Sequence, residues 1–232
     1  MSTVSTAFEK AAAEDRAALV GYLPAGFPDK QTAIKAAVAM VEAGADVIEV
    51  GLPYSDPLMD GPVIADAVYR ALKGGVKIKD VFDTVQAVAD AGAAALVMTY
   101  WNPVDKYGAD AFSRDLASAG GAGLITPDLT PEEAGPWLEA SDAHQLDRVF
   151  LVAPSSPPRR VEEITRLCRG FVYAVSLMGI TGAQARQVAG FADGVIVGSA
   201  FVRRITDAAT PADAVAAVRD LTADLAQGVR RN

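Results

Sequence analysis

Seven short runs are apolar on successive residues rather than on alternate ones: Ala18–Tyr22, Val47–Gly51, Ala95–Tyr100, Gly123–Thr126, Val149–Ala153, Phe171–Ser176 and Val195–Gly198. A strand covered on both faces has this texture. Between the runs lie Ala-rich segments with helical spacing: Thr32–Ala43, Pro62–Lys73, Val81–Ala91, Ala111–Ala119, Glu132–Ala140, Val161–Arg169 and Ala212–Ala226. The alternation predicts repeated βα units, and hence a parallel sheet or a (β/α) barrel. The turns agree. Ala43-Gly44, Ala91-Gly92 and Ala119-Gly120 place a glycine where a helix ends in a left-handed cap. Thr130 before Pro131 reads as a helix N-cap, and Asp80 and Asp110 read as similar starts.

The strand count falls one short of a closed eight-stranded barrel. Only 17 residues, Leu177 to Asp193, separate the sixth run from the last. One helix, Ala183 to Ala189, fits there; a helix, a strand and a second helix do not, because each helix needs roughly 10 residues. The expected fold is therefore a barrel lacking its seventh βα unit. With no linker, charge block or low-complexity stretch, residues 1–232 read as one domain.

Composition narrows the function. Net charge is −8, from 21 basic and 29 acidic residues. No basic cluster longer than Arg159-Arg160 or Arg203-Arg204 offers a face for nucleic acid. A single cysteine, Cys168, excludes an internal disulfide, fits a reducing compartment and reads as a small residue on a packed helix. The N-terminal stretch lacks the pattern of a signal peptide, and no apolar run approaches the roughly 20 residues a bilayer requires. The expected location is the cytoplasm. One His and one Cys make a zinc site or a His-based triad untenable, so no metal is expected, and His144 in its polar run reads as a surface residue.

In parallel α/β folds, chemistry gathers where strands end. Glu49 interrupts the apolar Val47-Ile48-Glu49-Val50, and alternation turns it to the face opposite Ile48 and Val50. Inside a barrel mouth its pKa should rise, suiting it to acid/base work; a strand-end ion pair is the plainer reading. The following loop carries Asp60, as ligand or as cap of the helix at Pro62, and is stiffened by Pro53, Pro57 and Pro62. Met178-Gly179-Ile180-Thr181-Gly182 and Val197-Gly198-Ser199-Ala200 are glycine-rich turns suited to an anion such as phosphate. Tyr22, Tyr100, Ile125 and Tyr173 could wall an aromatic-sized pocket or simply pack at strand ends. Tyr100-Trp101-Asn102-Pro103 and Thr126-Pro127-Asp128 are weaker strand-end candidates.

Six segments resemble the tryptophan synthase α subunit family: Gly21 through Gly26, Ala45 through Pro62, Leu96 through Asn102, Gly120 through Asp128, Phe171 through Gly182, and Ala192 through Ala200. The block Glu-Val-Gly-Leu-Pro-Tyr-Ser-Asp-Pro-Leu-Met-Asp-Gly-Pro, residues 49 to 62, is the specific one. The resemblance implies a TIM barrel that cleaves indole-3-glycerol phosphate to indole and glyceraldehyde 3-phosphate. It implies Glu49 as the acid/base that protonates the indole ring carbon, and Asp60 as the carboxylate that binds the indole N–H. It places Tyr173 in the pocket, Thr181 and Gly182 in a lid, and Gly198 and Ser199 among the phosphate donors. It also implies a β subunit as partner, contacted by the Pro53–Asp60 loop. Pyridoxal phosphate would belong to that partner, leaving this chain without a cofactor.

One departure stands out. Thr181-Gly182-Ala183 runs almost directly into Gln184 through Val188, which resembles the helix after strand seven. Either the protein carries a deletion or a stretch is left out of the chain. A deletion would remove phosphate donors and open two sheet edges. The rival reading is thus an incomplete barrel that catalyses weakly or not at all and serves as a scaffold or β-subunit-binding module. A phosphate-sugar isomerase or aldolase barrel is a third. Its aldolase form lacks a strand-end lysine, since Lys73, Lys77 and Lys79 lie in or between helices.

Overall fold

The apolar runs line up as parallel strands. In the computed structural model, which describes residues 3–175 and 182–230, the strands are β1 (Ala18–Pro24), β2 (Val47–Gly51), β3 (Ala94–Met98), β4 (Gly123–Ile125), β5 (Asp147–Val149), β6 (Leu151–Val152), β7 (Tyr173–Ala174) and β8 (Gly194–Val197). Six form one parallel sheet in the order β5-β4-β3-β2-β1-β8, and β6 pairs with β7. The helices are α1 (Thr3–Ala13), α2 (Lys30–Glu42), α3 (Pro62–Lys73), α4 (Ile78–Asp90), α5 (Trp101–Tyr107), α6 (Ala109–Ser118), α7 (Gly135–Ala143), α8 (Pro158–Leu167), α9 (Gly182–Ala189), α10 (Ser199–Thr206) and α11 (Pro211–Gly228).

Strand alternation sorts the core into two layers. Leu19, Ile48, Val50, Val97 and Leu124 face outward and pack with Met40, Val85, Phe112 and Trp137 of the surrounding helices. Val20, Val47, Leu96, Ile125 and Val149 face inward and pack on one another. Glu49 lies two residues from Val47 and so faces inward with it. Helix α1 closes the floor: Val4 is buried in the inner layer, and Phe8 stacks on Phe171 at 5.2 Å between ring centroids. Neither α1 nor α5 was expected from the sequence.

The fifth run is the main difference in the wall. It was expected as one strand, Val149–Ala153, but divides at buried Phe150. The segment before Phe150 extends the large sheet, and the segment after it pairs with β7. The Phe150 carbonyl accepts from the Tyr173 N–H at 3.1 Å, so the wall continues through the break. The seven expected runs thus become eight strand segments. Between β7 and β8 the described residues contain only α9, and neither strand pairs with the other. The barrel is incomplete at that seam.

Local signals were partly misread. Gly44, Gly92 and Gly120 do take the positive φ of helix-ending glycines, at 107°, 94° and 78°. Thr130 does not cap a helix. It donates instead to the Glu133 carboxylate at 3.0 Å within a turn, and α7 starts later, at Gly135-Pro136. Asp80 sits one turn inside α4 and accepts from the Lys77 N–H at 2.8 Å; Lys77 is the N-cap residue. Asp110 lies within the first turn of α6, after Gly108. Cys168 ends α8 rather than packing within it, and burial pushes its thiol up. His144 is half-buried at the end of α7, 2.8 Å from the Asp110 carboxylate.

Candidate active site

Glu49 stands on β2 with Tyr22 of β1 and Leu96 of β3 as its strand neighbours. Its residue is 1% exposed, and neither carboxylate oxygen has a hydrogen-bond partner. That combination is costly for a charged carboxylate. Burial alone pushes the pKa from the ordinary 4.5 to about 8, so the proton is held near neutrality. A strand-end ion pair, the plainer reading of this residue, is not what the structure places there.

Two tyrosines, Tyr22 and Tyr173, lie near this carboxyl group, and a third, Tyr100, stands beside Asp60. Tyr22 is buried, and its phenol is pushed well above 10, first by burial and then by the nearby Asp60 and Glu49. Its ring lies so close to Gly51 that a Cβ there would come within 2.7 Å of Tyr22 Cε2. On the other side the same ring flanks Gly198, 3.3 Å from where a Cβ would sit. One aromatic ring thus joins the Glu49 strand to the turn that opens α10. Tyr173, half-buried on β7, is raised by burial and by Glu49. Tyr100 follows β3 and is 6% exposed.

Asp60 belongs to the loop between β2 and α3. The cap residue of α3 is Gly61, with no side-chain capping bond, so the N-cap reading of Asp60 does not hold. Asp60 instead accepts from the Tyr100 hydroxyl at 3.2 Å. Partial burial raises its pKa, and that hydrogen bond works against the rise. The Tyr100 hydroxyl also accepts from the N–H groups of Leu58 at 3.0 Å and Met59 at 2.9 Å.

Gly198 and Ser199 sit where β8 gives way to α10, whose first N–H groups have no partner within the helix. The N–H groups of Phe201 and Val202 already bond the Gly198 carbonyl, at 2.9 and 3.2 Å. The donors left for an anion are therefore those of Ser199 and Ala200. Ile125 is fully buried in the inner apolar layer, with Val149 and Leu96. Gly182 opens α9. Thr181, with the turn Met178–Thr181, lies outside the described residues. Glu49, Tyr22, Tyr100, Asp60 and Tyr173 thus share one end of the barrel, and the α10 turn joins them through Tyr22.

Sequence reasoning undervalued three residues. The Asp128 carboxylate accepts the Trp101 N–H, at 3.0 and 3.1 Å, and fixes the start of α5. Tyr54 packs against Tyr100, with ring centroids 5.5 Å apart, and its hydroxyl accepts from Asn102 Nδ2 at 3.1 Å. Their positions beside strand ends were the available signal. Among the described residues no group of three or more His, Cys, Asp and Glu is arranged to hold a metal ion. No helix there is long and apolar enough to cross a membrane.

Comparison with known proteins gives a consistent result. A family model described as tryptophan synthase alpha chain matches residues 8–189. The tryptophan synthase alpha chain of Thermobifida fusca is 53% identical, over 99% of this chain and 98% of its own length. That of Salinispora arenicola is 54% identical, over 99% and 98%. A structure of Mycobacterium tuberculosis tryptophan synthase superposes with a TM-score of 0.94 at 49% identity, covering 100% of this chain and 99% of that one. The Thermobifida alignment spans 266 positions, against 232 residues in this chain, so at least 34 positions there (266 − 232) have no counterpart here. That is about the size of one strand-and-helix unit.

Proposed function

This chain belongs to the tryptophan synthase alpha chain family, and from that premise we propose that it is a lyase cleaving indole-3-glycerol phosphate to indole and glyceraldehyde 3-phosphate. The observation that carries the reading is Glu49, a buried carboxyl group inside the barrel with no hydrogen-bond partner and a pKa of about 8. Such a group holds a proton at neutral pH and releases it to a basic atom placed beside it. In the proposed step Glu49 protonates the ring carbon that bears the glycerol chain. The C–C bond then breaks, and its electron pair restores the aromatic ring. The adjacent side-chain hydroxyl gives its proton to the Glu49 carboxylate as it becomes the aldehyde, which returns Glu49 to its starting state. Asp60 accepts the indole N–H and offsets the positive charge that develops on the ring nitrogen.

The remaining site residues bind. Tyr22, Tyr100, Ile125 and Tyr173 wall the indole pocket, and Thr181 and Gly182 complete the proposed substrate-binding set. The turn at Gly198 and Ser199 holds the phosphate, with the backbone N–H groups of Ser199 and Ala200 as donors at the start of α10. No cofactor enters these steps. The partner is a tryptophan synthase β subunit, which carries the pyridoxal phosphate and receives the indole. The exposed Leu58 and Met59 on the site loop offer it an apolar contact. The reaction belongs to amino-acid biosynthesis, and we place it in the cytoplasm.

Indole release from indole-3-glycerol phosphate tests the reading, with Glu49→Gln as control. The expected loss is on the order of 100-fold or more. Equal turnover in both proteins would remove Glu49 from the mechanism. The open seam between β7 and β8, together with at least 34 unmatched positions, favours a second reading: a scaffold that binds the β subunit with little turnover of its own. β-subunit binding without indole release from the wild-type chain would select it.

A further inference from the structure

We propose that Tyr100 is a positioning residue: its hydroxyl clamps the loop from Pro53 to Asp60 and sets the Asp60 carboxylate, so its oxygen is not available to the substrate. This rests on the assignment of Asp60 to the indole N–H made above. A phenol has one proton to donate and two lone pairs to offer. At Tyr100 both lone pairs are taken, by the N–H groups of Leu58 at 3.0 Å and Met59 at 2.9 Å. The single proton is then directed to the Asp60 carboxylate at 3.2 Å. The hydroxyl has no capacity left for a ligand.

The loop has little else to hold it. Leu58 is 78% exposed and Met59 49%, so neither buries enough apolar surface to anchor its own segment. The Ser55 hydroxyl donates to its own neighbour Asp56 rather than to the barrel. Among the described residues the loop's other side-chain bond to the barrel runs from Asn102 to the Tyr54 hydroxyl, and Tyr54 in turn packs on the Tyr100 ring. Among the described residues, then, the hydrogen bonds tying residues 54–60 to the barrel converge on Tyr100 and Asn102. Tyr100 is itself a rigid post: it is buried, and it directly precedes Trp101, whose N–H is fixed by Asp128. Leu58, Met59 and Asp60, three consecutive residues of this loop, thus take their position from one oxygen atom.

Tyr100→Phe keeps the ring and its packing and removes only that atom. Two readouts separate a clamp from a substrate contact. Hydrogen–deuterium exchange of a peptide spanning residues 53–60, without substrate, should speed up by about tenfold or more at Leu58 and Met59. In the indole-release assay, kcat should fall by about tenfold or more with a smaller change in KM, as for a group that acts by orienting Asp60. Tyr54→Phe, which removes the tie to Asn102 but leaves the Tyr100 bonds, should speed exchange at residue 54 more than at 58 and 59. Unchanged exchange at Leu58 and Met59 in Tyr100→Phe, or a loss expressed in KM alone, would overturn the proposal. A wild-type chain that releases no indole would instead count against the proposed reaction, while the exchange arm still judges the clamp.

Discussion

Glu49 is the residue whose environment has the clearest consequences for pH. Its folded-state pKa of about 8 lies above the ordinary 4.5. Below 4.5 the carboxyl is neutral in both the folded and the unfolded chain. Between 4.5 and about 8 the unfolded chain releases the proton and the folded chain keeps it, so stability drains away as pH rises, by up to about 1.4 kcal/mol per pH unit. Glu49→Gln never carries the charge. The variant should therefore be more stable than the wild type at pH 8 in urea unfolding, with the difference closing as pH approaches 4.5. A constant difference across that range would mean that Glu49 is not held neutral. Indole release should fall as pH rises through about 8, because the proposed acid is then deprotonated; a flat profile to pH 9.5 would exclude it as the acid. Asp60→Asn should lower kcat by on the order of 100-fold while leaving the fold intact by circular dichroism, since Asp60 caps no helix and is only partly buried. Loss of the fold would assign Asp60 a structural role instead. Alternation alone gave the inward facing of Glu49. Its lack of a partner was not legible, because that depends on what surrounds it, including Tyr22 and Tyr173 from two other parts of the chain.

Helix α1 shows a different failure of sequence reading. Val4, Ala7, Phe8 and Ala11 fall at helical spacing, and the pattern was present but not taken up. Its purpose is visible only in three dimensions. Phe8 stacks on Phe171 just before β7, and its ring lies 2.9 Å from where a Cβ would stand on Gly194 at the start of β8. One side chain therefore touches both strands that flank the open seam. Phe8→Ala should destabilise the protein by about 2 kcal/mol in urea unfolding, less than a fully buried phenylalanine because Phe8 is half-buried. A change below about 0.5 kcal/mol would show that α1 is not part of the cooperative unit. Helix α5 was missed for another reason. It has seven residues with Pro103 inside it, too short for a periodic signal, and Asp128, which fixes its first N–H, lies far along the chain. The division at Phe150 is a matter of tertiary curvature: an unbroken apolar run states that both faces are covered, not where the wall changes partners.

At the scale of the whole molecule the seam decides how well the two halves of the site cooperate. The proposed acid/base half has both of its carboxylates, Glu49 on β2 and Asp60 held by Tyr100. The anion half rests, among the described residues, on the α10 turn, connected to Glu49 through the Tyr22 ring. Closing a barrel pairs its last edges and fixes the relative positions of its strand ends. Among the described residues β8 pairs with β1 on one side only. Two effects should follow for a chain whose intact mass is 24.1 kDa. Phosphate binding should be weak, because one helix start supplies the donors, and β8 should open locally more readily than β2 or β3. Inserting a strand-and-helix unit between β7 and β8, taken from the corresponding part of the Thermobifida relative, should therefore lower KM for indole-3-glycerol phosphate by about tenfold, slow amide exchange along β8 and raise Tm. The shift in kcat should be smaller, since Glu49 and Asp60 are already in place. If the shorter chain matches the longer one in KM and in β8 exchange, the α10 turn suffices for the phosphate and the open seam costs the enzyme nothing.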